Sequence, residues 1–151
     1  MNAMLGQHDE RAMDKGMLET ERANALQKAV AAYFDLMYDY DVSRFDQVFT
    51  SCAQLHGLRD GNLKLITATH FRSVLELGPS PKSKNAPRRQ EVLLMDFASP
   101  TQALVKVRVR IDAVQYVDYL SYHLVDGAWL ITAKSFHIEK TFAPAARLVK
   151  G

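Results

Sequence analysis

Along the chain, apolar residues change their spacing several times, and each change predicts an element. Leu26, Val30, Tyr33 and Met37 recur at intervals of four, three and four, with Ala29 and Phe34 beside them. That spacing gives one apolar stripe on a long helix from Glu19. Asp41 follows as an N-cap, because its carboxylate can accept the free amide hydrogens that open a second, short helix. Val42, Phe45, Val48 and Phe49 supply that helix's buried face. "AQLHGLRDGNLKLI" then reads as two strands around Asp60-Gly61, where glycine supplies the positive φ of a tight turn. "TATHFRSVLELG" returns to helical spacing with Phe71, Val74 and Leu75 inward. Gly78 is expected to end it in the left-handed conformation, with Pro79 unable to continue it.

Residues 79–89 form a loop, since three prolines break any ladder and Lys82, Lys84, Arg88 and Arg89 keep it solvated. Folded over a cavity mouth, this loop would attract an anion; otherwise it is a solvated charge run. Strands follow at Glu91–Ala98, Gln102–Ile111, Tyr116–Val125 and Ala128–His137. In Gln102–Ile111, Ala103, Val105, Val107, Val109 and Ile111 share one face, and Lys106, Arg108 and Arg110 the other. The order predicts an α+β fold, with about three helices packed on the concave side of a curved antiparallel sheet. Residues 1–18 read as a polar leader, flexible or weakly helical, residues 19–142 as one domain and 143–151 as a tail.

The Asp126-Gly127 turn sets a register for the last two strands. In it Val125 pairs with Ala128, His123 faces Leu130, Ser121 faces Thr132, Tyr119 faces Lys134 and Val117 faces Phe136. That face mixes apolar and polar groups, as small-molecule pockets do. The opposite face, with Tyr116, Asp118, Leu120 and Tyr122, is mainly apolar and suits a core or subunit interface. On this count Asp118, Tyr116 and His137 would form a polar cluster there. A one-residue bulge in either strand would scramble the assignment. Within the mixed face, His123 and Ser121 stand about 7 Å apart on one strand, beyond hydrogen-bond reach, and Asp118 points away from both. A nucleophilic triad is therefore not formed. Lys134 on a half-apolar face would hold an acidic ligand or act covalently if its pKa were lowered, or else would snorkel to the rim.

Composition narrows the classes. The chain has 151 residues, 48% hydrophobic and 24% charged, with net charge +2. This is one domain, burying about 70% of its unfolded surface. The charge is too small for a nucleic-acid surface. No apolar run reaches the roughly 20 residues of a membrane span, and acidic and basic residues interrupt residues 1–17 as a signal peptide would not allow. A cytoplasmic location is expected, and the lone Cys52 suits a reducing compartment. The five histidines show no metal-ligand spacing and no glycine-rich phosphate loop occurs, so no metal and no cofactor are expected.

Three stretches, "YFDLMYDYDVSRFDQVF", "RRQEVLLMDFASPTQALVKVRV" and "DYLSYHLVDGAWLITAKSFH", together resemble the nuclear transport factor 2-like superfamily, also grouped with cystatin-like folds. Within it the chain is most similar to the SnoaL-like and lumazine-binding branches, with ketosteroid isomerase more distant. The resemblance covers about residues 20–140. It implies a cone-shaped sheet, a pocket between helices and sheet, and a homodimer, but no single reaction. In ketosteroid isomerase a helix tyrosine stands eight residues before a Gly-Asp pair, and Tyr33 stands eight before Asp41. The position of that enzyme's base falls near His56-Gly57, and its second acid near Ser121, neither of them a carboxylate. The isomerase reaction itself is thus not implied.

The expected ligand-pocket residues are Tyr33, His56, Tyr119, Ser121, His123, Thr132, Lys134 and Phe136. The leading expectation is a dimeric small-molecule binder without nucleic-acid or membrane partners. Two alternatives are a cyclase, dehydratase or isomerase using Tyr33 and a histidine, and a non-catalytic oligomerisation module.

Overall fold

The computed structural model describes the backbone of residues 2–143 and the side chains of residues 16–143. Helix α1 spans Asn2–Asp39, so its backbone begins well before Glu19, and the expected tail lies almost wholly outside the described residues. A short 3-10 helix, Val42–Gln47, leads into strands β1, Phe49–Arg59, and β2, Asn62–Thr67. Helix α2, Ala68–Leu77, precedes strands β3, Gln90–Ser99, β4, Gln102–Ile111, β5, Val114–Val125, and β6, Ala128–Thr141. The fold is α+β, with one six-stranded curved sheet in the order β2-β1-β6-β5-β4-β3. The β3–β6 meander and the β1–β2 hairpin are antiparallel; they join through a parallel β1–β6 pair, so the sheet is mixed at that seam.

One face of the sheet is covered by helices, because two stripes of side chains meet there. From α1 come Leu26, Val30, Tyr33, Phe34 and Met37, buried at the spacing the sequence predicts, together with Leu36. From β4 come Ala103, Val105, Val107 and Val109, every second residue. Phe45 and Phe49 stack at 5.0 Å between ring centroids, and Phe71 of α2 meets Phe49 edge-on at 5.7 Å. This aromatic cluster fastens α2 and the 3-10 helix to the start of β1. Burial of such side chains contributes roughly 1.5–3 kcal/mol each.

The turns follow their residues. Asp60-Gly61 and Asp126-Gly127 both hold positive φ, 53° and 78°, 49° and 82°, as a tight hairpin requires. Asp41 caps the 3-10 helix by accepting from the Ser43 amide. Gly78 differs from expectation: its φ is −89° and ψ 155°, so α2 ends in extended backbone. The left-handed residue lies instead at Tyr40, φ 57°, just past α1. A bulky residue there costs about 1–2 kcal/mol, and the conformation directs the chain sharply into the Asp41 cap. The 79–89 loop is tied back along α1. Arg88 pairs with Asp35 at 2.7 Å and stacks over Tyr38, and the Lys82 amide donates to the Tyr38 carbonyl.

The β5–β6 ladder holds the main correction. Pairing runs in the expected register from Val125–Ala128 to Tyr122–Ile131, then shifts by one. Ser121 pairs with Ala133, Leu120 with Lys134 and Asp118 with Phe136, leaving Thr132 as the extra residue of a bulge. Beyond it the alternation of β6 is reversed. Lys134 and Phe136 are 5% and 7% exposed on the helix-covered face, while His137 pairs beside Val117 on the open face. The expected polar cluster of Asp118, Tyr116 and His137 is therefore not assembled.

The reversal is checked by cysteine labelling in a Cys52→Ser background. Ser135→Cys is expected to react with a bulky maleimide in the native protein, and Lys134→Cys only on unfolding. The opposite order would restore the unbulged register.

Candidate functional site

A cavity of about 240 Å³ opens between α1, α2 and the covered face of the sheet. Its walls are mostly apolar: Met37 from α1, Leu55 from β1, Ile66 from β2, Phe71 and Val74 from α2, and Phe136 from β6. Four polar-tipped side chains also reach it: Tyr40, Arg59, Tyr116 and Lys134. None of the lining residues comes from the 79–89 loop, so that loop does not cover the mouth.

Each polar group is set by its backbone. Arg59 follows Leu55 and Gly57 on one face of β1 and ends the strand. Its guanidinium lies 5.9 Å from the Phe136 ring centre and donates to the Tyr116 hydroxyl at 3.4 Å. Gly57 lets that ring in, since a Cβ there would stand inside the space of the Phe136 ring. Tyr40, in left-handed backbone at φ 57°, also lines the cavity.

Lys134 is the exceptional group. Its ammonium lies 4.9 Å from the Phe71 ring centre, 5.1 Å from that of Tyr33 and 4.0 Å from Met37 Sδ. The nearest carboxylate oxygen, Asp118 Oδ2, is 3.8 Å away, too far for a hydrogen bond. That oxygen accepts instead from the Tyr33 hydroxyl at 2.6 Å. Asp118 Oδ1 and the Tyr122 hydroxyl are buried without a hydrogen-bond partner among the described residues. Burial lowers the Lys134 pKa, against the pull of Asp118. Burial, then the negative Asp118, raise that of Tyr33 well above its usual value; burial alone raises that of Tyr122.

The expected pocket residues thus divide between the faces. Lys134 and Phe136 line the cavity, and Tyr33 lies behind Lys134, within the core. Tyr119, Ser121, His123 and Thr132 lie on the open face, where His123 Nδ1 and Thr132 Oγ1 are 2.6 Å apart. His56 also faces away, because the buried alternation of β1 is Ala53, Leu55, Gly57. Tyr33 and the two strand histidines are therefore on opposite sides of the sheet, and the acid–base pairing expected of them is not assembled. The buried acid partnering Tyr33 is Asp118, three residues before Ser121. Arg59, Tyr40, Tyr116 and Asp118 are not among the expected pocket residues, although Tyr116 and Asp118 were expected in a polar cluster with His137. The Leu55–Gly57–Arg59 alternation carries a signal for the first, strand alternation places Tyr116 and Asp118 on the covered face, and Tyr40 carries none beyond its residue type. Among the described residues no three His, Cys, Asp or Glu side chains gather as a metal site.

Comparison with known proteins agrees with this architecture. Residues 21–137 match the family described as "Putative lumazine-binding", and the chain belongs to that family. Among solved structures it is similar to a nuclear transport factor 2-like protein of unknown function from Silicibacter pomeroyi. The TM-score is 0.69 at 19% identity, over 80% of this chain and 98% of the other. A second such protein, from Shewanella baltica, gives 0.69 at 18%, over 81% and 97%. A ketosteroid isomerase-like protein from Erwinia carotovora atroseptica gives 0.60 at 11%, over 78% and 95%. These likenesses establish the fold. No curated protein matches the sequence.

Two outcomes follow from the geometry. Gly57→Ala is expected to push Phe136 into the cavity and to cost about 1–3 kcal/mol, read by urea unfolding; an unchanged midpoint would show that the ring does not pack on Gly57. For Tyr33 and Tyr122 the folded pKa lies above the ordinary value of 10.0. Their stabilisation is then complete below pH 10 and lost as pH rises beyond it, since only the unfolded chain releases those protons. In an alkaline titration followed by tyrosinate absorbance, these two should ionise only with unfolding. Their ionisation in the folded protein would contradict the burial.

Proposed function

We propose that the chain is a small-molecule-binding protein whose ligand occupies the cavity between α2 and the sheet. The observation that carries this reading is Lys134: a buried cationic side chain at an apolar cavity, with no oxygen acceptor within hydrogen-bond distance among the described residues. Core packing alone does not favour such a group, because an unsatisfied buried charge is costly. A ligand oxygen placed against it would supply the missing acceptor. The volume is below the roughly 300–1,000 Å³ of common ligand pockets, so the ligand is one or two rings in size. Phe71 and Phe136 offer flat apolar surfaces, which favours a planar body, and Arg59 would attract a negative group on the same molecule. The family description points to such heterocycles.

The reading includes a homodimer formed through the open face. Leu58, Leu63 and Leu65 are 61%, 70% and 60% exposed there, and cross-strand pairing makes them contiguous across the β1–β2 hairpin. It also includes a cytoplasmic location, which the unpaired Cys52 favours. No helix among the described residues is long and apolar enough to cross a membrane.

The test is a thermal-shift panel of lumazine- and flavin-like heterocycles, small aromatic acids and aryl ketones. A ligand at 100 times its Kd adds about 2.7 kcal/mol, raising Tm by roughly 5–10 °C in a domain this size. Val74→Trp, on the half-exposed wall of α2, should fold and abolish the shift. Equal shifts in both proteins would place the ligand elsewhere and end the cavity reading.

A further inference from the structure

We propose that Lys134 is a nucleophile, and that its ε-amine forms a reversible imine with an aldehyde or ketone held in the cavity. This rests on the cavity being a ligand site, and it assigns the ligand a chemical class. The geometry favours a carbonyl over a carboxylate at this point. Lys134 already has a compensating negative charge in Asp118, 3.8 Å away. A carboxylate driven against Lys134 would bury a second anion beside Asp118 with no second cation except Arg59, farther out on the hairpin. A carbonyl brings no charge, and its product keeps the count unchanged.

The surroundings also fit the chemistry. Beside the amine stand Asp118 Oδ2 at 3.8 Å, Met37 Sδ at 4.0 Å and the faces of Tyr33 and Phe71, and Lys134 itself lines the cavity. Tyr33 holds Asp118 Oδ2 at 2.6 Å, which keeps the carboxylate from closing on Lys134. The amine is thereby left facing the cavity. A lysine desolvated in an apolar pocket is a recognised way to activate an amine. Burial shifts the Lys134 equilibrium toward that neutral form.

The step balances without oxidant or reductant. The Lys134 ammonium first gives a proton to solvent water. The amine lone pair forms a bond to the carbonyl carbon as the C=O π pair moves to oxygen. A proton passes from nitrogen to that oxygen, giving a neutral carbinolamine. The proton released to water returns to the hydroxyl, the C–O bond breaks, water leaves and the nitrogen lone pair closes the C=N bond. The product is an iminium, with the charge of the original ammonium and still beside Asp118. Hydrolysis runs the same steps in reverse. Asp118 stays ionised, held by Tyr33, and faces the cationic nitrogen at both ends of the sequence.

The experiment incubates the native protein with benzaldehyde and sodium cyanoborohydride, then maps benzylated lysines by peptide mass. Label is expected at Lys134 in preference to exposed Lys64 and Lys140, by on the order of tenfold, because the cavity holds the carbonyl beside the amine. Lys134→Arg retains the charge and should lose that label; Lys134→Met is the second variant should arginine overfill the site. An unmodified Lys134, or one labelled no faster than Lys64 and Lys140, overturns the proposal. Ligand-observed NMR with benzyl alcohol, which has no carbonyl, separates the two readings. If it binds in a Val74→Trp-sensitive way while Lys134 stays unlabelled, only the imine is overturned. If neither compound engages the cavity, the binding reading falls as well.

Discussion

An ammonium group leaves water only when something replaces its hydration, and the interior of this protein is arranged around that constraint. Lys134 is buried because three elements converge on it. β5 supplies Asp118, α1 supplies Tyr33 and Met37, and α2 supplies Phe71. The replacement is incomplete. A carboxylate at 3.8 Å and two ring faces attract the charge but form no hydrogen bond to an oxygen. Asp118 is diverted to Tyr33 by a 2.6 Å bond. The pair is thus balanced in charge and unsaturated in hydrogen bonding, a state suited to a group that takes part in binding or chemistry.

A single extra residue makes this arrangement possible. Without the bulge at Thr132, the ladder of β5 and β6 would set Lys134 beside Tyr119, on the open face. The bulge reverses the alternation, bringing Lys134 and Phe136 inward. Gly57 then matters, because the parallel β1–β6 seam sets it against Phe136 and only a residue without Cβ leaves room for the ring. Bulge, glycine and ring together form one wall of the cavity. The opposite wall is α2, held by the Phe45–Phe49–Phe71 cluster.

Much of the scaffold was legible in the sequence because it is written in local periodicity. The stripe of Leu26, Val30, Tyr33 and Met37, the alternation of β4 and the two Asp-Gly turns each specify themselves within about ten residues. The site was less legible. Thr132 is an ordinary strand residue, and nothing near it announces an unpaired position. The Tyr33–Asp118 bond spans 85 positions, so it depends on packing rather than pattern. Tyr40 occupies a left-handed position more often given to glycine, and Gly78, which looked suited to one, is extended. Lys134 and Phe136 were identified through the unbulged register, which the structure replaces; their place in the cavity follows from the bulge.

The central claim is that the ligand in this cavity touches Lys134. The most direct measurement is NMR of isotope-labelled lysine ε-carbons, with the Lys134 signal assigned by its absence in Lys134→Met. The account predicts that a cavity ligand moves that signal while those of exposed Lys64 and Lys140 stay in place. A ligand that stabilises the protein, loses its effect in Val74→Trp and yet leaves the Lys134 signal unmoved would contradict it.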